Sequence, residues 1–431
     1  MFIQGLVTTY RDDCALVAFC DRNQTRMNFY NGEIQAKHGT RAVPTYLARD
    51  FERMIHETKP DVVIVCSIDC THHVYITRAM ELGCDVISEK PLTTDIPKCR
   101  QILDTVERTG RKLTVTFNYR YSPIRSKVKE LIATGAIGQV QSVHFEWLLD
   151  TNHGADYFRR WHRDKRNSGG LIVHKATHHF DLVNWWLGSS PERVFGLGKL
   201  AFYGRENAAR RGVTRFYERG TGLRGRRDPF ALDLRKSDNL RRLYWEAEHE
   251  DGYKRDLSVF GDGITIEDTM NLLVRYKSGA HMSYSLHAYA PWEGYRVAFN
   301  GDRGRIEVNH QENSYINAGN GELNEGKSSS QQLLLLPHFE PPRVVPIPDE
   351  SGGHGGGDPI MLEHIFRPQG KVDPLGRAAN HIDGARSILV GVAANESFLS
   401  GLPVEVDDLL RLPAPREPGQ AKRRVRKSMI S

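Results

Sequence analysis

Short apolar runs alternate with amphipathic segments over the first 118 residues, and this alternation constrains the fold more than any other feature of the chain. Continuous apolar runs of this length are typical of parallel strands that are covered on both faces. The segments between them have helical spacing and end at Gly83 and Gly110, and glycine commonly terminates a helix. The predicted strands are 15–21, 61–67, 84–88 and 112–118, and the predicted helices are 72–82 and 94–109. This order predicts an α/β, doubly wound parallel sheet.

Polar residues stand where the predicted strands end. They are Asp21, Ser67, Glu89, Lys90 and Asn118. A doubly wound sheet binds its ligand beyond the carboxyl ends of its strands, so we expect these side chains to meet at one edge. Pro91 fixes the turn that aims Lys90, and an X-Pro bond in such a turn is a candidate for the cis form.

From residue 125 the pattern changes to that of an α+β domain with a large open, mostly antiparallel sheet. The run 139–149 alternates like a strand with one solvated face, and later runs are joined by Ser-Gly and Gly-Asp-Arg-Gly turns. We predict a glycine turn followed by a helix over 168–188, a helix over 379–401, and loops over 321–332 and 349–359. The expected domain limits are 1–124 and 125–412, followed by a basic, disordered tail over 413–431.

Asp21 raises a question about the start of the chain. An acid at the end of the second strand of a dinucleotide-binding sheet usually binds the adenosine ribose, and a G-x-G-x-x-G turn precedes it by about 20 residues. No such turn occurs near the start, so the chain is expected to begin inside the first βα unit, without the first strand. Two explanations stay open: the start codon lies upstream, or the protein lacks the phosphate-binding turn.

Composition and charge exclude several classes of function. No run of 18 apolar residues is present, which argues against a membrane span, and the first residues do not resemble a signal peptide. All six cysteines lie in the first hundred residues, as expected for reduced thiols in a cytoplasmic protein. The net charge of +6 comes largely from 205–242 and the tail, without the pattern of a nucleic-acid reader. The 205–242 segment is either a solvated insertion or a site for an acidic sugar or phosphate.

Six stretches of the sequence resemble the Gfo/Idh/MocA family of oxidoreductases. They are LVAFCDRN, VVIVCSIDCTHH, GCDVISEKPLTTD, TVTFNYRYSP, SGGLIVHKATHHFDLVNWWLG and FNGDRGRIEV. The resemblance implies a Rossmann domain, an open-sheet domain, a homodimer or homotetramer, and NAD(P)-linked redox chemistry on sugars or cyclitols. By position, Lys90 matches the active-site lysine and His178 the catalytic histidine, whereas His174 stands where inositol dehydrogenases have an aspartate. The residues expected to bind the cofactor are Asp21, Arg22, Ser67, Ile68, His72, Glu89, Lys90 and Asn118.

The chemistry of these side chains fits alcohol oxidation. Lys90 can supply a cation for the developing alkoxide, and His178 can accept the hydroxyl proton near neutral pH. His174 lies four residues before His178, on the same helical face, and can share the proton transfer. A metal pair is an alternative for these two histidines, but no H-E-x-x-H glutamate is present, so we expect no metal. Asp21 favours NAD, and Arg22 leaves NADP open.

The expected substrate contacts are aromatic and basic, as suits the faces and hydroxyls of a sugar. They are Tyr119, Tyr157, Arg160, Trp161, His179 and His354. Packing is the alternative for His179, and a surface loop is the alternative for His354. The expected function is a sugar or cyclitol dehydrogenase. The alternatives are an NAD-dependent glycoside hydrolase, suggested by the GHGGGD loop, and a non-catalytic binding protein that lacks the cofactor.

Overall fold

The computed structural model describes residues 1–312, 328–348, 354–370 and 372–415. Five parallel strands form the amino-terminal layer in two hydrogen-bonded groups. The first group is β1 (Phe19–Asp21) and β2 (Thr45–Leu47), and the second is β3 (Val62–Val65), β4 (Asp85–Ser88) and β5 (Leu113–Val115). Among the described residues the two groups share no strand pairing. The first predicted strand is shorter than expected, because it begins at Phe19 rather than at residue 15.

Helices connect these strands in the predicted order. They are α1 (Phe2–Val7), α2 (Gln24–His38), α3 (Phe51–Thr58), α4 (His72–Glu81) and α5 (Ile96–Thr109). The Asn23 side chain accepts from the amide of Arg26 at the start of α2, and the Asp95 side chain caps α5 in the same way. Gly110 ends α5 in the left-handed conformation that glycine adopts without a steric cost.

A nine-stranded mixed sheet forms the second layer. Its strands are β6 (Val140–Asp150), β7 (Pro191–Lys199), β8 (Thr269–Tyr276), β9 (His281–Ala290), β10 (Glu293–Gly301), β11 (Gly304–Glu312), β12 (Ser328–Pro337), β13 (Arg343–Val344) and β15 (Val404–Glu405). Their order is β13-β12-β11-β10-β6-β9-β8-β7-β15, and only β6 and β9 pair in parallel. The remaining strand, β14 (Ala379–Asn380), pairs with β5 of the other layer. The predicted fold class, a Rossmann-type layer plus an open sheet, is confirmed.

Further helices lie before, between and after the strands of this sheet in the chain. They are α6 (Pro123–Ala133), α7 (His153–Arg159), α8 (Lys165–Ser168), α9 (Leu171–His174), α10 (Ala176–Leu187), α11 (Arg205–Arg210), α12 (Asp238–Leu240), α13 (Glu248–Asp251), α14 (Gly357–Phe366), α15 (His381–Ser400) and α16 (Val406–Leu409). Trp185 and Trp186 of α10 are buried in the core, and Asp181 pairs with buried Arg120. These three residues are therefore structural, as expected.

Two predicted loops differ from the structure. The loop over 321–332 is wrong from Ser328 onward, because that segment pairs with β11 as an antiparallel strand. The loop over 349–359 is wrong from Gly357, where α14 begins. Residues 313–327, 349–353 and 416–431, which include most of the predicted basic tail, lie outside the described residues. The predicted domain limits stay predictions.

A long connection between β7 and β8, which we call the insertion (residues 200–268), ties the two layers together. Arg26 of α2 donates to Asp251 of the insertion at 2.7 Å. Buried Arg255 donates to both carboxylate oxygens of Asp156 in α7, at 2.6 and 2.9 Å. Several insertion arginines pair with carboxylates of the insertion itself: Arg205, Arg219, Arg235 and Arg241. These pairs favour the first expectation for 205–242, a solvated insertion.

Three further expectations concern a membrane span, a metal site and the cysteines. No helix in them is long and apolar enough to cross a membrane. No cluster of three or more histidine, cysteine, aspartate or glutamate side chains in them could hold a metal ion. All six cysteines are free, but only Cys84 and Cys99 are buried, and Cys66 is exposed.

Candidate active site

Lys90 reaches from the end of β4 toward the second layer. The Lys90–Pro91 bond is cis, as the turn suggested. The Lys90 Nζ donates to the backbone carbonyl of His174 at 3.2 Å, which joins the two layers at this point. Burial lowers the pKa of Lys90 to about 8, the charge of Asp69 opposes this change, and the charge of Lys175 adds to it. Lys90 is therefore a cation at neutral pH that can lose its proton in mild alkali.

His178 lies within electrostatic range of Lys90, and one of its ring nitrogens has no partner among the described residues. Its ring stacks on Tyr119, with centroids 4.2 Å apart. The Nδ1 atom is buried and has no hydrogen-bond partner among the described residues. Burial, and then the charge of Lys90, lower the pKa of His178 well below its usual value. The imidazole is therefore neutral at pH 7, and it presents a buried nitrogen that a hydroxyl group can satisfy.

His174 forms a close pair with an acid that the sequence analysis missed. Its Nδ1 lies 2.5 Å from Oδ2 of Asp69, and both side chains are buried. Burial lowers the pKa of His174 and raises that of Asp69. A neutral imidazole that donates from Nδ1 leaves Nε2 as an acceptor. Asp69 lies in the polar turn after β3, two residues beyond Ser67, and the convergence of strand ends was the signal that could have found it.

The edge of the parallel strands carries groups that fit a nicotinamide dinucleotide. Asp21 ends β1, and its Oδ1 accepts from the amide of Asn23 at 2.9 Å. Asn118 donates to Asp358 at 2.8 Å, while its buried Oδ1 has no partner among the described residues. A carboxylate suits ribose hydroxyls, and a free amide oxygen suits a carboxamide N–H. The donor set therefore fits both ends of the cofactor, although no residue here is assigned to the pyrophosphate.

The other residues that we expect to bind the cofactor differ in their surroundings. Ser67 and Ile68 follow β3 and are half-buried, and Glu89 lies beside Lys90 with its pKa raised by burial. His72 lies between two turns at this edge: its Nδ1 is 2.8 Å from the carbonyl oxygen of Pro91 and its Nε2 is 3.0 Å from that of Ser67. Burial lowers its pKa, and the neutral ring donates to one of these two oxygens. Its expected contact with the cofactor stays a prediction.

Four of the six expected substrate residues surround the histidines. Tyr119 stacks on His178, and Tyr157 and Trp161 lie edge-on to the ring of His174, with centroids 5.5 and 5.8 Å away. Arg160 approaches Asp156 at 3.4 Å, and its charge lowers the pKa of His174. These side chains form an aromatic and cationic wall.

His354 and His179 lie in different surroundings. The ring of His354 is 6.0 Å from that of Tyr119, and its Nδ1 lies 2.8 Å from Asp358, so the GHGGGD segment does reach the site. His179 is fully buried: it stacks on Trp147 and its Nδ1 lies 2.7 Å from the hydroxyl of Tyr284. Its Nε2 is also buried and has no partner among the described residues. These contacts favour the packing alternative, and the expected substrate contact stays a prediction.

A second lysine in this wall was also missed. Lys175 lies between the two histidines in sequence and is only 4% exposed. Its Nζ donates to the Tyr119 hydroxyl at 3.0 Å and lies 5.0 Å from the centre of the Trp147 ring. Its charge lowers the pKa of both His174 and His178. A lysine within a helical apolar block usually is a surface residue, so nothing in the sequence indicated this position.

Comparisons with known proteins agree with this geometry. Residues 4–117 match the model of an oxidoreductase family described as an NAD-binding Rossmann fold, and residues 129–406 match the carboxyl-terminal alpha/beta domain of the same family. The chain belongs to the Gfo/Idh/MocA oxidoreductase family. Its relatives in this family include YteT of Bacillus subtilis, which is 39% identical over 86% of this chain and 87% of YteT. The family membership makes the protein an oxidoreductase.

Other proteins are similar to this chain over part of its length or in fold alone. A D-glucoside 3-dehydrogenase of Escherichia coli is 30% identical over 41% of this chain and 48% of its own length. An aldose-aldose oxidoreductase from Caulobacter crescentus, solved with glycerol, has a TM-score of 0.60 at 15% identity and covers 93% of this chain and 95% of its own. An oxidoreductase from Agrobacterium radiobacter, solved with NAD+, L-tartaric acid and magnesium, has a TM-score of 0.61 at 14% identity, covering 95% of this chain and 96% of its own.

Proposed function

We propose that the protein oxidises a secondary hydroxyl of a sugar, sugar derivative or cyclitol with NAD, or catalyses the reverse reduction. The observation that carries the proposal is the buried, unpartnered Nδ1 of His178 within electrostatic range of the Lys90 ammonium, at the edge that fits a dinucleotide. Relatives named as inositol and glucoside dehydrogenases support the substrate class.

The roles follow from the chemistry of each group. When bound, NAD would supply the acceptor for the hydride of the carbinol carbon. His178 accepts the hydroxyl proton, and the Lys90 ammonium stabilises the negative charge that develops on the oxygen. Asp69 keeps His174 in the tautomer whose Nε2 can accept a hydrogen bond from a second hydroxyl. Tyr157 and Trp161 offer aromatic surface to the ring of the substrate.

The cofactor preferred under this proposal is NAD rather than NADP. Arg22, the residue that could neutralise a 2′-phosphate, lies 3.7 Å from Oδ2 of Asp251 and donates to its backbone carbonyl at 3.3 Å. Asp251 is 2% exposed and also binds Arg26. Two acids, Asp21 and Asp251, thus stand near the end of β1, where they disfavour a second phosphate. Free thiols further favour a cytoplasmic location.

The test is the formation of NADH when the protein is mixed with NAD+ and a panel of aldoses, uronic acids and cyclitols. A rise in NADH absorbance that depends on one sugar class supports the proposal. Binding of NAD+ without NADH formation or carbonyl reduction for any member contradicts it. Sedimentation of the same sample tests the expected homodimer or homotetramer, which should have two or four times the mass of one chain.

A redox glycoside hydrolase is the second candidate, because the GHGGGD segment places His354 beside Tyr119. In such an enzyme the hydride would return to the sugar after the glycosidic bond breaks, so NADH would not accumulate. Release of a reducing sugar from a glycoside, with a requirement for NAD+ but no net NADH, would favour this candidate over the first.

A further inference from the structure

We propose that Lys175 binds the carboxylate of the substrate, so that the protein acts on an acidic sugar such as a uronic or aldonic acid. This inference rests on the proposed function and names its substrate class. Lys175 is buried against the histidine face, yet no carboxylate of the described residues lies within ion-pair distance of its Nζ.

The neighbouring buried acids already have other partners. Glu293 binds His153 at 2.8 Å, and Glu312 binds Arg125 at 2.8 Å. Asp69 is held by His174 and Asp358 by His354, at 2.5 and 2.8 Å. The charge of Lys175 does contribute to the lowered pKa of Glu312, but Glu312 is bound by Arg125, and none of these four carboxylates forms an ion pair with Lys175. A buried ammonium without a counter-ion is costly, and a ligand that brings a carboxylate removes that cost.

The bonds that Lys175 does make leave capacity for a ligand. An ammonium has three donors, and one of them goes to the Tyr119 hydroxyl. The faces of Tyr119 and Trp147, with ring centres at 5.4 and 5.0 Å from Nζ, add a cation–π attraction. That attraction does not use an N–H donor, so two donors remain for carboxylate oxygens.

The charge around the reacting groups is positive in excess. Lys90, Lys175 and Arg160 each lower the pKa of His174, which puts all three cations within electrostatic range of one imidazole. On the acidic side, Asp69 pairs with His174, Glu89 adjoins Lys90, and Asp156 is shared among Arg159, Arg160 and Arg255. The five cations of this group therefore outnumber its three acids. An anionic substrate is attracted to such a cleft, whereas a neutral sugar gains nothing from the surplus charge.

The test compares sugars that differ only in the carboxylate: D-galacturonate with D-galactose and with D-galacturonamide, and D-glucuronate with D-glucose. For the wild-type protein with NAD+, we expect the acid to exceed its neutral partners in kcat/KM by about 10-fold to 100-fold, the range of a charge-assisted hydrogen bond. Calorimetric binding of the same sugars to the NAD+-loaded protein should show the same order.

The decisive variant is Lys175→Met, which keeps the length and apolar stem of the side chain. We expect it to lower kcat/KM for the acid by a larger factor than kcat/KM for the neutral sugar, so that the acid-to-neutral ratio falls to about one. Lys129→Met is the matched control, because Lys129 is also a buried lysine but donates to the Trp185 carbonyl, at 2.5 Å. The acid-to-neutral ratio should not change in that control.

The acid-to-neutral ratio of kcat/KM distinguishes a failure of this inference from a failure of the proposed function. Partial unfolding lowers the rates for acid and neutral sugars alike, so it cannot imitate the expected result. If the wild-type protein oxidises the neutral sugar as well as the acid, or Lys175→Met keeps the preference, the inference is overturned while the proposed function stands. If no sugar of either kind is oxidised or reduced, the proposed function fails and the inference fails with it.

Discussion

At the scale of single residues, the account depends on which protonation states burial favours. Burial lowers the pKa of Lys90 to about 8 and that of His178 well below its usual value. At pH 7 the lysine is therefore charged and the imidazole neutral, the states that alcohol oxidation needs. Neither state could be read from the sequence, because both follow from contacts between separate layers.

The first prediction concerns the pH dependence of kcat/KM for oxidation. Since His178 is already neutral, we expect no acid limb near its usual pKa of about 6.5. Since Lys90 loses its proton near pH 8, the rate should fall about tenfold per pH unit above that value. In Lys90→Arg the guanidinium stays charged, so the alkaline limb should disappear whatever the absolute rate. An unchanged limb in that variant would remove Lys90 from the assigned role.

The second prediction concerns Asp69. Replacing it with asparagine removes the charge that holds the Nδ1–H of His174, at 2.5 Å. We expect kcat to fall by about 10-fold to 100-fold, the worth of one charge-assisted hydrogen bond, with little change in melting temperature. Asp181→Asn is the control, because Asp181 binds buried Arg120 away from the histidines. That variant should lose stability and keep its turnover per folded molecule; the opposite pattern in the two variants would contradict the assignment.

At the scale of elements, close packing places α14 against the turn after β5. A Cβ added at Gly357 would lie 2.4 Å from the backbone oxygen of Asn118, so the first residue of this helix must be glycine. The helix carries Asp358, which accepts from Asn118 and contacts His354. The glycine therefore sets how the segment with His354 approaches the site.

The third prediction follows from that contact. Gly357→Ala should lower the free energy of unfolding by about 1–3 kcal/mol and raise KM, because α14 has to move. Gly32→Ala is the matched control: Gly32 lies within α2, and a Cβ there would meet nothing within 4 Å. It should gain about 0.5–1 kcal/mol, since alanine is the better helix former. Denaturant titration of both variants checks the signs, and an equal effect in both would refute the packing argument.

The sequence predicted elements better than side-chain partners. Apolar runs and glycine stops located β3, β4, α4 and α5 to within a few residues, because those signals are local. The cis bond at Lys90–Pro91 and the convergence of strand ends were likewise predictable from the turn and the sheet. Asp69 and Lys175 were missed, because their roles arise only when β3 and α10 meet across the two layers.

At the scale of the whole molecule, the insertion links the edge that fits adenosine to the wall of the substrate site. Asp251 binds Arg22 and Arg26 near the end of β1. Arg255, only four residues further along the chain, binds Asp156 of α7. The sequence analysis considered only 205–242, as a solvated insertion or as a site for an acidic sugar or phosphate. The link depends instead on Asp251 and Arg255, whose partners Arg26 and Asp156 lie more than 90 residues away in the chain.

The fourth prediction tests this link through cofactor choice. In Asp251→Asn, Arg22 is released from its carboxylate, so the Kd for NADP+ should fall about tenfold, which is about 1.4 kcal/mol, while that for NAD+ changes little. Fluorescence titration of the protein with each dinucleotide measures both values without turnover. Glu250→Gln is the control, since Glu250 accepts from Thr25 of α2 and not from Arg22. Equal shifts in the two variants would mean that Asp251 has no special part in selecting the cofactor.

The most direct test of the central claim is the rate of NADH formation in a single turnover by His178→Asn, measured beside its affinity for NAD+. The account predicts that the rate falls by about 10²-fold to 10⁴-fold, the usual contribution of a general base, while the affinity for NAD+ stays the same. A rate within a few fold of the wild-type value, at unchanged NAD+ affinity, would contradict the claim that His178 takes the proton beside Lys90.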